Sequence, residues 1–372
     1  MLNLGGVVQN VFVFVQNIGV EKLKKIMYNR IGEEKMKKVT IRDIAEKLNI
    51  SKSSVSLALN DGYGINSETR DKILFEAHQM GYDFSKTKKR HRKVITILIG
   101  GSSRINDIFW KEIYLGIESH AMEKKYLVDM VVYDDINNVD EQKKIVNSLL
   151  KSSSGGVLIV FDCNELLLNL LDEFNYPLVL VEPQHTYTLN FSQIRGTYYN
   201  AGYEIGKYLI SKGHKRLAFV GNIDYSINYL LRYNGFRDAI ENSGEAELVP
   251  LQLKGAEEGS NGDISENAVR ELLESKERPT ALFIANDVLA QRYIEKIKKW
   301  GLEVPKDVSV IGFDNSETSV SGNIHLTTCG MDRRALGRNA VELLFEQING
   351  INTKKTVEMH TKIVERDTVS KL

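Results

Sequence analysis

Residues 39–60 read Val-Thr-Ile-Arg-Asp-Ile-Ala-Glu-Lys-Leu-Asn-Ile-Ser-Lys-Ser-Ser-Val-Ser-Leu-Ala-Leu-Asn, and no other stretch constrains the chain as tightly. Ile41, Ile44, Ala45 and Leu48 recur at i, i+3, i+4 and i+7, the apolar stripe of one helix. Thr40 stands ahead of that stripe as an N-cap, and Asp43 puts a carboxylate in the first turn, where the helix dipole favours it. Ser51 caps a second short helix whose apolar side is Val55, Ala58 and Leu59. The break at Asn49 and Ile50 is too short for two independent helices. Two short helices joined by such a turn are the layout of a helix-turn-helix, whose second helix enters the DNA major groove. Spacing alone also admits an ordinary αα-hairpin.

Charge sharpens the choice. The 372-residue chain has no net charge, yet residues 36–93 carry 13 Lys/Arg against 7 Asp/Glu, while residues 94–372 carry 31 against 39. A basic head on an acidic body favours phosphate contact at one end only. Two cysteines, Cys163 and Cys329, sit in apolar, strand-like surroundings and read as core residues of a reduced, cytoplasmic protein. The apolar run Val7 to Val15 is short and broken by Gln9 and Asn10, so it is neither a signal peptide nor a membrane span. Residues 1–35 are expected to be an N-terminal extension, either disordered or a mis-started segment ahead of a natural start at Met36. Gly32-Glu33-Glu34 could be encoded by a purine-rich run like a bacterial ribosome-binding site.

From residue 94 onward, apolar runs of strand length alternate with helical patterns. Val94–Gly100, Leu127–Tyr133, Gly156–Phe161, Pro177–Val181, Arg216–Gly221, Leu248–Leu253, Thr280–Ala285 and Val308–Phe313 read as buried strands. Alternation of this kind makes doubly wound parallel α/β sheets covered on both faces, and ligands in such sheets sit outside the strand C-terminal ends. No Walker-type loop, dinucleotide fingerprint, Cys-x-x-Cys or His-Glu-x-x-His is present, so the residues support neither an enzyme nor a bound cofactor or metal.

The head closely resembles the DNA-binding domain of the lactose-repressor/galactose-repressor (LacI/GalR) family. The matching residues are Thr40-Ile41-Arg42-Asp43-Ile44-Ala45 and Ile50-Ser51-Lys52-Ser53-Ser54-Val55-Ser56-Leu57-Ala58-Leu59-Asn60. A third helix fits too, with Ser67 as cap, Ile73, Leu74, Ala77 and Met80 inward, and Gly81 ending it. The similarity continues through Arg232-Tyr233-Asn234-Gly235-Phe236, Ala285-Asn286-Asp287, Val310-Ile311-Gly312-Phe313-Asp314 and Leu326-Thr327-Thr328 to a closing strand at Ile363-Val364-Glu365-Arg366-Asp367-Thr368. The resemblance implies a helix-turn-helix head (36–82), a hinge or linker (83–93) and a two-lobed body like that of periplasmic sugar-binding proteins. The lobes would be 94–213 with 331–350 and 214–330 with 351–372, joined by crossovers near Gly213, Cys329 and Gly350. It further implies a homodimer on palindromic double-stranded operator DNA and a small-molecule effector, a sugar above all, in the interlobe cleft, with no membrane association.

DNA contacts are expected from Thr40, Ser51, Lys52, Ser53, Ser54, Ser56, Leu57 and Asn60. With Val55 at the centre of the buried face and about 100° per residue, Ser53 and Leu57 fall nearly opposite it. The linker departs from the family. Lys88, Lys89 and His91 replace its small Ala, its Arg and its wedging Leu, so the basic run Lys86, Lys88, Lys89, Arg90, His91 and Arg92 is read as phosphate-binding with reduced DNA bending. Effector contacts carried over are Phe109 and Trp110 as the aromatic platform, with Trp110 preferred, although either ring could equally pack in the core. Arg232, Asn286 and Asp314 would grip hydroxyls, while Asp287 would cap the next helix. Thr197-Tyr198 in place of a frequent Asp-Asn, and Arg292 in place of a frequent Gly, leave the effector's identity open. Two other readings stay in play: a solute-binding protein, against which the DNA-binding head argues, and a regulator controlled by a partner protein.

Overall fold

The computed structural model describes residues 39–60, scattered positions between 64 and 82, and residues 93–100, 108–133, 145, 149, 154–161, 165–173, 176–185, 191–224, 226–251 and 265–372. The N-terminal extension, the basic run Lys86 to Arg92 and Cys163 lie outside the described residues. The chain divides into two compact units at Arg90, a helical head and an α/β body.

In the head, α1 (Ile41–Leu48) opens on a reciprocal cap. Thr40 Oγ1 accepts from the Asp43 amide, and Asp43 Oδ2 accepts from the Thr40 amide at 2.7 Å. Asn49 adopts a left-handed conformation (φ 53°), which turns the chain into α2 (Lys52–Leu59). Ile44 and Ala45 of α1 close on Val55, Ala58 and Leu59 of α2 and on Ile73 and Ala77 beyond, a small dry core. Burial of one stripe from each helix holds together elements too short to persist alone. Beyond α2, Asn66 Oδ1 accepts from the Thr69 amide at 2.8 Å, while the expected cap Ser67, with Leu74 and Gly81, lies outside the described residues.

The body holds two six-stranded sheets. The first has strand order β11-β5-β4-β3-β1-β2, built from β1 (Val94–Gly100), β2 (Leu127–Tyr133), β3 (Val157–Val160), β4 (Leu178–Val181), β5 (Gln193–Gly196) and β11 (Thr356–Met359), all neighbours parallel. The second has order β12-β10-β9-β8-β6-β7, built from β6 (Arg216–Val220), β7 (Glu247–Leu248), β8 (Ala281–Ile284), β9 (Ser309–Phe313), β10 (Thr327–Gly330) and β12 (Lys362–Val364). Among the described strands, only the β10–β12 pair is antiparallel. Successive side chains of a strand point to opposite faces. Thus Ile95, Ile97 and Ile99 pack under α3 (Ile108–Glu123) and α9 (Arg333–Ile348), whereas Leu98 meets α4 (Glu165–Glu173) on the other side. In the second lobe, Leu217 and Phe219 face α5 (Tyr198–Ser211) and α6 (Ile227–Ser243). Ala218 and Val220 face α7 (Glu266–Glu274) and α8 (Asp287–Lys299).

The lobe boundaries differ from the expected ones. Tyr198, Ala201, Ile205 and Leu209 of α5 are core residues of the second lobe, so the first crossover falls at Gly196–Thr197 and not near Gly213. Strand β11 pairs with β5, so residues 356–359 belong to the first lobe and the third crossover falls at His360–Thr361, not near Gly350. Both errors share a cause: Gly213 (φ 96°) and Gly350 (φ 90°) are positive-φ glycines that end helices, and a helix stop looks like a domain boundary in sequence. The middle crossover follows Gly330. The three crossovers touch: the Thr197 amide donates to Met359 O at 3.1 Å, and the Met331 sulfur packs over Gly196. Strand β2 is not buried; it forms the sheet edge, and Leu127, Asp129, Met130 and Val132 face outward.

Candidate functional site

On α2, Ser51 and Ser54 spend their hydroxyls on the cap, with Ser51 Oγ accepting from the Ser54 amide at 3.0 Å and lying 2.8 Å from Ser54 Oγ. Asn60 turns its amide back to donate to Ser56 O at 2.8 Å. Thr40 is likewise engaged in its cap. Lys52, Ser53 and Leu57 are exposed, and Leu57 at 38% exposure is a large apolar side chain with no place in the head's core. Among the expected DNA contacts on α2, these three therefore present outward-facing side chains without a capping role.

Among the described residues of the body, four non-glycine residues adopt positive φ just after strands: Phe161 (67°) after β3, Glu182 (54°) after β4, and Asp314 (106°) and Asn315 (46°) after β9. Each such backbone costs roughly 1–3 kcal/mol and persists only where surrounding contacts enforce it. All lie at strand C-terminal ends, where doubly wound sheets place their sites.

Arg232, in α6, is buried at the centre of this region. Its guanidinium lies 3.6 Å from the Phe313 ring centroid, with Tyr198 and Tyr229 at 4.7 and 5.3 Å. Nη1 donates to Ala285 O at 2.5 Å, and Nη2 stands 3.8 Å from Asp314 Oδ1. Backbone contact fixes α6 in place: a Cβ on Gly202 would collide with Arg232 O, and one on Gly235 with Tyr199 O. Asn286, not Asp287, caps α8. Its Oδ1 accepts from the Leu289 amide at 2.8 Å while Nδ2 donates to the Tyr229 hydroxyl at 2.6 Å. Asp287 is instead buried as an acceptor for the Ser316 amide (2.7 Å), Ser316 Oγ (3.0 Å) and Thr328 Oγ1 (2.5 Å), and burial pushes its carboxyl up to about 6. It thereby anchors the loop that carries Asp314. The β-region conformation suits the cap, so the amide at 286 takes that role and frees the carboxylate for the loop.

Opposite, in the first lobe, the expected preference between the aromatics reverses. Trp110 is 3% exposed, a core residue set edge-on to Phe161 at 3.7 Å between centroids. Phe109 is the more exposed ring, stacked on Phe161 at 6.1 Å with the Arg333 guanidinium 5.4 Å from it. Arg333, the first residue of α9, also donates to Asp314 O at 2.9 Å, so one side chain spans both lobes.

Sequence reasoning missed Arg333 and also Glu182. Glu182 is fully buried, accepts from the Tyr198 hydroxyl and from the Gly196 amide (3.0 Å), and faces Arg232. Burial pushes its carboxyl up to about 7 against the lowering effects of Tyr198 and Arg232, and the Tyr198 phenol is held far above its ordinary range, chiefly by burial and then by Glu182. A signal was there: a lone carboxylate ends the apolar run Leu178-Val179-Leu180-Val181 at the edge where sites form. The Ile227 amide donates to Gln184 O at 3.2 Å, a further bond between lobes. Three buried polar atoms flank this junction without a partner among the described residues: Trp110 Nε1 in the first lobe, and Asn228 Oδ1 and Arg232 Nε in the second. Buried donors and acceptors left unpaired are costly. Among the described residues there is no metal-ligating cluster, and no helix is long and apolar enough to cross a membrane.

A capped helix-turn-helix head and a two-lobed body closing on a polar cleft define a ligand-responsive DNA-binding regulator. The comparisons with known proteins agree. The periplasmic binding protein-like domain matches residues 207–369. The HTH-type transcriptional repressor PurR of Pasteurella multocida (strain Pm70) is 30% identical over 338 residues, covering 89% of this chain and 98% of that protein. The PurR repressor of Vibrio atlanticus (strain LGP32) is 28% identical over 340 residues, 90% and 99% of the two chains. Among solved structures, the lac repressor dimer bound to operator and the anti-inducer ONPF shares the fold at TM-score 0.61 and 22% identity, covering 90% of this chain and all of that one. The transcriptional regulator CelR in complex with cellobiose does so at 0.61 and 20%, covering 89% and 100%. The chain belongs to the LacI/GalR family of helix-turn-helix transcriptional regulators.

Proposed function

We propose that the protein is a cytoplasmic repressor that binds a near-palindromic operator as a homodimer and changes its DNA affinity when a small carbohydrate enters the interlobe cleft. The observation that carries this reading is the polar cluster of Arg232, Asn286 and Asp314 at the strand C-terminal ends, which Arg333 ties to the first lobe, in a chain that also bears a helix-turn-helix. Donors and acceptors side by side suit hydroxyls, which both give and take hydrogen bonds. Phe109 offers the apolar side of a sugar a ring, while Arg232, Asn286 and Asp314 line the opposite wall. CelR's complex with cellobiose, on the same fold, supports the ligand class.

In the head, Lys52, Ser53 and Leu57 read bases, with Ser56 and Asn60 beside them. Thr40, Ser51 and Ser54 contact DNA only through atoms their caps leave available. The basic run Lys86 to Arg92 binds phosphate. Dimerisation draws support from the edge strand β2, where Met130 and Val132 are exposed apolar side chains on one face.

Selection of bound DNA from a random library, followed by a panel of sugars and polyols tested for a change in affinity for the winning site, decides the matter. A two-fold symmetric site and a saturable response to one sugar are expected. Asymmetric single-site binding by a monomer, or a response only to a partner protein, contradicts it.

A further inference from the structure

A cavity lies at the strand N-terminal end of the second lobe's sheet. It has a volume of about 520 Å³, within the range of small-molecule sites, and is walled by Leu273, Trp300 and Leu302. Its rim carries four cationic side chains, Arg216, Arg270, Lys276 and Arg278, against the single carboxylate of Glu274, which Arg270 already engages at 2.8 Å. Arg216 is the first residue of β6 and Arg278 precedes β8, so this cavity opens at the strand N-terminal ends, whereas the effector cleft lies at the C-terminal ends. Arg216 Nε donates to Arg278 O at 3.0 Å, which fastens one arginine to the loop that carries the other. Both are half-buried, and among the described residues neither they nor Lys276 has a carboxylate partner. The dipole at the end of α7 accounts for a cation at Lys276. It does not account for Arg216, which opens a strand, or for the loop residue Arg278. Unpaired cations gathered beside an indole in an otherwise acidic body suit an anion with an apolar body.

We infer that this cavity is a second ligand site, distinct from the effector cleft, for a small organic anion whose apolar part rests on Trp300 and Leu273 and whose phosphate or carboxylate is held by Arg216 and Arg278 with Lys276. The chain has two tryptophans, so Trp110→Phe in the full-length protein leaves Trp300 as the sole indole reporter. Titration with phenyl phosphate should give a saturable Trp300 fluorescence change with a Kd of about 1 mM or tighter. Benzyl alcohol should give none, and inorganic phosphate should bind more weakly than phenyl phosphate because it leaves the apolar wall uncovered. Arg278→Gln and Arg216→Gln should each weaken phenyl phosphate about tenfold. Lys276→Gln, on the exposed loop, should weaken it less and serves if an arginine variant misfolds by circular dichroism. No saturable response, an equal response to benzyl alcohol, inorganic phosphate binding as tightly as phenyl phosphate, or undiminished affinity in both Arg278→Gln and Lys276→Gln overturns the inference.

Discussion

Glu182→Gln should change how the body's stability depends on pH, with a sign opposite to that of an ordinary ion-paired carboxylate. In the folded protein burial raises the Glu182 carboxyl to about 7, against 4.5 when unperturbed. Between those values the folded state keeps a proton that the unfolded chain has released. The stability this group contributes is therefore complete below about pH 4.5 and is lost as pH rises through about 7. The gap is worth about 3 kcal/mol. Asp287, raised from 3.8 to about 6, adds a smaller contribution of the same sign. Ion-paired Glu112, Glu342 and Glu365 have lowered values and pull the other way, so the comparison must be made between parent and variant. Glutamine keeps the size of the side chain and one acceptor for Tyr198 or Gly196, but cannot titrate. Urea unfolding at about pH 5 and about pH 8 should show that the parent loses about 2.5 kcal/mol more than Glu182→Gln across that interval. Equal losses in the two proteins, or a parent that gains on Glu182→Gln as pH rises, would refute the burial argument.

Four further outcomes are expected. Asp314→Ala should abolish the response to the sugar while leaving operator affinity intact in a gel-shift titration; loss of operator binding would make Asp314 structural. Leu57→Ala should erase, and Leu57→Arg should redirect toward guanine, a thymine preference at one symmetric operator position, because leucine can offer only apolar contact to a thymine methyl whereas arginine bonds guanine with two hydrogen bonds; unchanged selection in both variants removes Leu57 from base readout. Gly235→Ala drives a methyl into Tyr199 O and should destabilise the second lobe by about 3 kcal/mol, read by thermal melting. Neutralising any one of Lys86, Lys88, Lys89, Arg90 or Arg92 should weaken all DNA sequences alike and lower the salt slope by about one unit; a sequence-selective loss would point to base contact instead.

The head was legible from residues 39–60 because everything that shapes it is local. The Thr40–Asp43 cap, the left-handed Asn49 and the buried Val55, Ala58 and Leu59 all follow from spacings within one or two helical turns. Strands β1 and β2 were legible in the same way, as apolar runs bounded by breaks. That β2 is an edge and not an interior strand was not, since a residue's exposure depends on what pairs beside it.

The short strands β5 and β11 escaped notice because Gln-Ile-Arg-Gly and Thr-Val-Glu-Met carry little periodicity of their own, and the closing strand β12 came only from the family resemblance. They are strands because partners far away in sequence supply their hydrogen bonds, Thr356 to Met359 lying alongside Gln193 to Gly196. The crossovers moved for the same reason. A glycine's positive φ is a local property that sequence can announce, but which sheet a helix covers is decided by which apolar face fits it. The site divides likewise. Family resemblance singled out Arg232, Asn286 and Asp314 as candidates, yet the partners that determine what each can still do, namely Glu182, Tyr198, Tyr229 and Arg333, come from separate elements on both lobes. The charge state of Glu182 depends on its removal from water, and burial is a property of the assembled lobes that no stretch of residues possesses before they pack.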